Sequence, residues 1–320
     1  MKTTLNVSPE MVRDIRQGLL ASPKRISSQY FYDAQGSRLF QDIMRLEAYY
    51  PTRCEYDALT LHHESLAAAF TRDGSPFSLT DLGAGDGYKT RILVEALLSR
   101  QAAVTYQPID ISEDALTGLT QAFERDYPTL PVAPVASEYV AGLRTIGASG
   151  SRKVVLFLGS NIGNFTLPDA AVFLRQLRDA LAPGDQLLIG FDLKKDPGII
   201  LRAYDDPEGV TRAFNFNLLT RLNRELEANF DLDQFIHYPT YDPLTGETRS
   251  YLVSTARQDV RLSALDLTVS FEAWEAIWVE LSQKFDPQMI QTLAREAGFI
   301  HTGLYYDSRG WFADALWSVR

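Results

Sequence analysis

The chain has 320 residues, 45% of them hydrophobic and 22% charged, with 41 acidic against 31 basic side chains and a net charge of −10. That length implies two domains, or one with a large insertion, and excludes a small stapled scaffold. The acidic balance, with a pI near 5.0 and no basic run, argues against a nucleic-acid partner, because affinity for a phosphate backbone comes mostly from Lys and Arg displacing counterions.

From the amino end, MKTTLNVSPEMVRDIRQ lacks the apolar stretch of about 7 to 15 residues that a secretory signal needs. The longest apolar runs, such as Val154 to Leu158, fall far below the roughly 20 residues that span a bilayer. A cytoplasmic protein with no membrane partner is expected. Cys54 is the single cysteine, so no intrachain disulfide and no multi-cysteine metal site can form, which fits a reducing compartment. The fifteen tyrosines point to polar pockets with aromatic walls, because a buried phenol needs a partner for its hydroxyl.

Between residues 77 and 192 short apolar runs alternate with helical patterns. Phe77 to Leu82, Val104 to Ile109, Val132 to Val135, Val154 to Leu158 and Gln186 to Phe191 read as strands. Lys89 to Leu98 and Pro168 to Leu181 read as helices, the second with a Thr166-x-x-Asp169 capping pattern and a stop before Gly184. Such alternation implies βαβ units and a parallel sheet covered on both faces. After Asp196 the rhythm changes. Val210, Phe214, Leu218, Leu222 and Leu226 make one apolar stripe on a long helix. Leu265 to Phe271 then alternates with period two, as does Ile277 to Ser282, which places Trp278, Glu280 and Ser282 on one face. A helix from Pro287 to Ala297, ended by Gly298, precedes strands near Phe299 to Tyr305 and Phe312 to Val319 that can complete the first sheet. The expected organisation is an α/β domain over 61–196 plus 286–320, and a second domain over 1–60 plus 197–285.

The sharpest local signal is TDLGAGDGYKT at 80–90, between the first strand of the sheet and its first helix. Ligands of open parallel sheets bind outside the carboxyl ends of the strands, where glycines let them approach the backbone. Tyr88 stands where a dinucleotide fingerprint needs its third glycine, and Ala84 where a phosphate loop needs its first. Asp110 ends the second strand, where an acid can accept from both hydroxyls of a ribose. A ribose acid without the third glycine favours an adenosine ligand lacking a pyrophosphate, of which S-adenosylmethionine is the commonest. The competing reading is a glycine turn needed for packing and an aspartate that caps a helix. In FLGSNIGNFT at 157–166, Gly159 and Gly163 permit close backbone approach. Asn164 offers a donor and an acceptor to a small ligand, or simply takes a left-handed turn. Tyr32, Tyr49 and Tyr204 sit in polar loops and can line a pocket or pack structurally. His62 and His63 are adjacent rather than spaced as paired zinc ligands, so no metal is expected.

Taken in order, YFYDAQGS, YYPTR, DLGAGDGYKT, FLGSNIGNFT, RAYDDPEGVT, NRELEANFDLD and ELSQKF resemble the histidine Nα-methyltransferase family of ergothioneine biosynthesis, from about Pro23 to the carboxyl terminus. The resemblance implies a class I, Rossmann-like methyltransferase sheet with a second α+β substrate domain built from the amino-terminal segment and the long insertion. It implies S-adenosylmethionine at Gly83, Gly85, Lys89 and Asp110, with Ser137, Glu138 and Tyr139 near the adenine. It implies the substrate carboxylate at Asn164 and Tyr204, and the amine at Tyr32, the catalytic residue, with Gly159 and Phe40 around it. The imidazole of histidine falls to Tyr49, Glu280 and Ser282. Ser250 stands where family members carry methionine, which makes that side of the pocket smaller and more polar. The implied activity is three successive Nα-methylations of L-histidine to trimethylhistidine (hercynine), by a monomer acting on a small molecule. Its rivals are methylation of another free amino acid, such as tryptophan or tyrosine, and a non-catalytic adenosine sensor of the same fold.

Overall fold

The computed structural model describes residues 7–147 and 151–320; the first six residues of the stretch read for a secretory signal lie outside the described residues. In chain order the first elements are α1 (Pro9–Leu20), β1 (Lys24–Arg25), α2 (Ala34–Arg45), α3 (Pro51–Phe70), β2 (Phe77–Leu82), α4 (Thr90–Ser99), β3 (Val104–Asp110) and α5 (Glu113–Asp126). There follow β4 (Val135–Ala136), α6 (Tyr139–Gly147), β5 (Arg152–Phe157), α7 (Leu167–Asp179), β6 (Gln186–Asp192), α8 (Pro197–Tyr204) and α9 (Val210–Glu225). The chain ends with β7 (Phe235–Asp242), β8 (Glu247–Ser254), β9 (Gln258–Leu262), β10 (Leu267–Phe271), β11 (Ala276–Gln283), α10 (Pro287–Glu296), β12 (Ile300–Tyr306) and β13 (Phe312–Ser318). Two compact units result: Pro51–Lys194 with Gln283–Arg320, and the residues up to Tyr50 with Lys195–Ser282.

The first unit carries a seven-stranded sheet of order β12-β13-β6-β5-β2-β3-β4. Neighbours from β6 to β4 run parallel, while β13 is antiparallel to both β6 and β12. Consecutive residues of β5 feed opposite faces. Val155 and Phe157 join one apolar cluster with Leu143, Leu174, Leu177 and Ile290, while Val154 and Leu156 join another with Leu59, Phe70, Leu93 and Phe123. Burial on both faces explains why these strands read as unbroken apolar runs. Each such Val, Leu or Ile is worth about 1.5–3 kcal/mol relative to an exposed side chain. The Thr166 cap forms as its spacing requires, with the hydroxyl accepting from the Asp169 amide at the start of α7.

Two expectations need correction. The strand over Val132 to Val135 shrinks to Val135–Ala136 plus a single bridge between Tyr106 and Val132, because Pro131 and Pro134 have no N–H to give a ladder. The expected boundary at residue 60 falls inside the continuous helix α3, which packs on α4 and β13; the chain passes between units at Tyr50 and Pro51 instead.

The second unit has a four-stranded sheet of order β1-β11-β8-β7 and a separate β9–β10 pair. One apolar cluster joins Ile15 of α1, Phe214, Leu218 and Leu222 of α9, and Leu252, Ile277 and Val279 of the strands. Phe214, Leu218 and Leu222 of the stripe thus form the buried face of α9. Among the described residues no helix is long and apolar enough to cross a membrane.

Candidate active site

In the seven-stranded unit, β2 is buried along its length and delivers the chain into the glycine loop. Gly83 adopts φ 70°, and a Cβ there would stand 2.7 Å from the Tyr139 hydroxyl. Glycine is therefore required twice at this point, for the left-handed backbone and for the approach of Tyr139. A Cβ at Gly85 would meet nothing within 4 Å, so this part of the loop faces open space. Just before the loop, Asp81 is buried and accepts from the Thr90 hydroxyl at 2.6 Å and the Tyr106 hydroxyl at 3.1 Å. Burial pushes its carboxyl up to about 6, against the pull of those hydroxyls and of Lys89.

Asp110 ends β3. Its Oδ1 accepts the Ser112 amide at 3.0 Å, but Ser112, not Asp110, caps α5, so the capping role weighed for Asp110 is not the one it plays. Its Oδ2 has no protein donor among the described residues, which leaves an acceptor at a half-buried position. The Ser137 amide donates to the Asp110 carbonyl at 3.0 Å, bringing Ser137, Glu138 and Tyr139 to the same strand end. Glu138 is exposed. Burial, then the charges of Asp110 and Asp81, push the Tyr139 phenol up to about 12, so it stays a neutral donor.

The loop after β5 holds Gly159 at φ 83° and Ser160 at φ 54°. Ser160, not Asn164, takes the left-handed turn; Asn164 ends a short 3-10 turn with an exposed side chain. The Gly159 amide donates to the buried Glu55 at 2.7 Å, and Lys89 donates to the same carboxylate. Gly83, Gly85, Lys89, Asp110, Ser137, Glu138, Tyr139, Gly159 and Asn164 thus all lie in segments that follow or adjoin the carboxyl ends of the parallel strands.

The remaining assigned residues belong to the other unit. Tyr32, 47% exposed, stands edge-on to Phe40 and to Phe214, each at 5.6 Å between ring centroids. Tyr49 extends the group, 6.2 Å from Phe40. Next to Tyr32, Asp33 caps α2 through the Gly36 amide at 2.7 Å and also accepts from Asn217 at 2.9 Å and Arg224 at 2.6 Å. Burial opposes its ionisation, but those hydrogen bonds outweigh it and hold the carboxyl below its usual range. Tyr204 ends α8 and is buried; beyond it, Asp206 accepts the amides of Val210 at 2.8 Å and Thr211 at 2.7 Å and so ties the end of α8 to the start of α9. On the sheet, the buried Ser250 hydroxyl donates to Glu280 Oε2 at 2.8 Å. Trp278 has other partners: its ring lies against the Arg249 guanidinium and its Nε1–H donates to the Glu280 carbonyl at 2.7 Å. Period-two burial holds along β11 to Leu281 and is lost at Ser282, which is buried.

A family model described as "Histidine-specific methyltransferase, SAM-dependent" matches residues 11–319. The chain belongs to that family. It is 40% identical to a histidine N-alpha-methyltransferase of Mycobacterium tuberculosis, over 95% of this chain and 93% of that one. Identity to the histidine N-alpha-methyltransferase of Mycolicibacterium smegmatis is 41% over the same shares. An L-tryptophan methyltransferase of Psilocybe serbica is 26% identical, over 96% of this chain and 92% of that one.

As a member of the histidine-specific methyltransferase family, the protein methylates histidine with S-adenosylmethionine as donor, and its mainly parallel sheet is the class I, Rossmann-like one. The residues present fit that donor. Gly85 leaves open the space a side chain would fill and Gly83 admits the Tyr139 ring, Asp110 has an oxygen that can accept from a ribose hydroxyl, and Lys89 brings a cation that can pair with a carboxylate. The sequence-based reading missed Asp33, Glu55, Asp81, Asp206 and Asp314. For Glu55 a signal existed: helical spacing puts it beside Cys54, Ala58 and Leu59, all buried, and an acid on an apolar face needs a buried partner.

Proposed function

We propose that the enzyme carries histidine through three successive Nα transfers to trimethylhistidine. The observation that supports complete methylation is the ring group of Tyr32, Phe40, Tyr49 and Phe214. Aromatic faces attract a quaternary ammonium, so a nitrogen gaining methyl groups and a fixed positive charge is accommodated rather than expelled.

S-adenosylmethionine, when bound, supplies an electrophilic methyl group on a sulfonium. The chain then has to hold a neutral amine at near-attack distance, roughly 3 to 3.5 Å, and needs no strong base. In this reading Tyr32 accepts the hydrogen bond of the amine and passes its proton to water, with Gly159 and Phe40 bordering it. Asn164 and Tyr204 hold the substrate carboxylate. Tyr49, Ser282 and Glu280 hold the imidazole, with the Ser250 hydroxyl fixing the Glu280 carboxylate that pairs with an imidazole N–H. A carboxylate paired with that N–H is a charge-assisted contact that an aliphatic side chain cannot replace. Asp110 takes the ribose hydroxyls, Ser137, Glu138 and Tyr139 flank the adenine, Gly83 and Gly85 give backbone approach, and Lys89 pairs with the carboxylate of the donor.

The test is a panel of free amino acids, histidine, tryptophan and tyrosine among them, incubated with excess donor and weighed by mass spectrometry over time. Histidine should pass through mono- and dimethyl species to the trimethyl product. A reaction that stops after one transfer refutes the three-step reading, and faster turnover of tryptophan or tyrosine refutes the imidazole assignment.

A further inference from the structure

Glu55 lies on α3, wholly buried, with 0% of its surface exposed. Its Oε1 and Oε2 take the Gly159 amide at 2.7 and 2.9 Å, and it receives the Lys89 ammonium. On β6 below it, a Cβ at Gly190 would come within 2.1 Å of Oε1, so only glycine leaves room for the carboxylate. Across the strand pair from Gly190 stands Asp314 of β13, with 0% exposure and neither side-chain oxygen hydrogen-bonded among the described residues. Burial and then the charge of Glu55 hold Asp314 well above the ordinary carboxyl range, with Lys89 pulling weakly the other way. The Glu55–Lys89 ion pair thus stands beside a buried acid whose ionisation burial disfavours. A buried carboxylate is tolerated only when paired and hydrogen-bonded, and Glu55 meets both conditions through the two segments that end at the sheet's carboxyl edge.

Lys89 is the hinge of the group. Its side chain keeps 21% exposure, and Nζ lies 3.6 Å from where a Cβ of Gly159 would stand, so it sits over the end of β5. One of its three N–H donors goes to Glu55, and among the described residues no acceptor takes the other two, which can serve a ligand. Of the charged groups on S-adenosylmethionine, two are cationic, the sulfonium and the ammonium, so only the carboxylate can pair with a lysine.

We infer that Glu55 is a positioning residue of the donor site: it fixes the Lys89 ammonium and the Gly159 amide where the donor's carboxylate is received, without touching the donor. The inference rests on the reading of Lys89 as a donor-binding residue. It predicts a loss confined to donor affinity, because an unpinned lysine must be ordered anew each time a carboxylate binds.

The experiment is calorimetric binding of S-adenosylhomocysteine to the full-length protein, with steady-state kinetics alongside. Glu55→Gln should weaken binding about tenfold and raise the KM for S-adenosylmethionine similarly. The KM for histidine and the kcat at saturating donor should stay within about twofold, a split that general loosening of the fold would not give. Glu55→Asp should restore part of the affinity, and Asp314→Asn, an uncharged amide in place of an uncharged acid, should bind as the wild type does. The charge-balanced double variant Glu55→Gln/Lys89→Met covers the case in which Glu55→Gln does not fold. If Glu55 acts through Lys89, it binds no more weakly than Lys89→Met alone. Unchanged affinity in Glu55→Gln, or a double variant clearly weaker than Lys89→Met, overturns the inference. Unchanged affinity in Lys89→Met instead overturns the underlying assignment of Lys89.

Discussion

Replacing Ser250 by alanine removes one hydroxyl, and with it the 2.8 Å hydrogen bond to Glu280 Oε2. A hydrogen bond to a charged group contributes about 1.5–3 kcal/mol when water cannot replace it. Glu280 is only half-buried, so water recovers part of the loss and the net cost falls to about 1 kcal/mol. That corresponds to about a fivefold rise in the KM for histidine, since a less firmly held carboxylate must be ordered when the imidazole arrives. The donor site is built from other residues, so the KM for S-adenosylmethionine and the affinity for S-adenosylhomocysteine should not move. Initial rates at saturating donor, with histidine varied, give the first quantity, and calorimetry gives the second. Equal changes in both constants, or no change in the histidine KM, would refute the assignment of Ser250 and Glu280 to the imidazole.

Asp81 and Asp33 make opposite predictions for pH. The Asp81 carboxyl rises from 3.8 to about 6 in the folded state, so between those values the unfolded chain loses its proton first and stability falls as pH rises, by about 3 kcal/mol in all. Asp81→Asn should therefore gain about that much relative to the wild type between pH 4 and pH 7.5 in urea unfolding; parallel stabilities at the two pH values would sink the idea that burial dominates over Thr90, Tyr106 and Lys89. Asp33 is held below its usual value, so its contribution is present at neutral pH and disappears only as pH falls below 3.8 through the folded value. Asp33→Ala should lower stability at pH 7 by about 1–2 kcal/mol, mostly through the lost cap of α2 and less through the half-exposed Arg224. A cost that stays constant down to pH 2 would contradict that account.

The elements with strong local signals were legible in the sequence. Phe77–Leu82 and Gln186 onward read as strands because each apolar run faces packed helices on both sides, and α9 read as a helix because Phe214, Leu218 and Leu222 recur at helical spacing. Val132 to Val135 read as a strand on composition, but its flanking and internal prolines leave it only a bridge and two paired residues. The glycine loop, Asp110 and the aromatic loops were visible because their residue types are costly anywhere but at a turn, a ligand or a polar pocket.

What the sequence determined by itself was the βαβ rhythm, the glycine loop with Asp110 at the next strand end, and, through motifs in register over nearly the whole chain, the family. Only the tertiary structure decided which groups meet. Glu55 and Gly159 lie 104 positions apart and Ser250 and Glu280 lie 30 apart, separations that no local pattern encodes. Local periodicity reports which face of an element is apolar. The charge state of Asp81, the freedom of Lys89 and the direction of Glu280 depend on burial and on partners that the chain supplies from distant strands and helices, and these exist only once the sheets have formed.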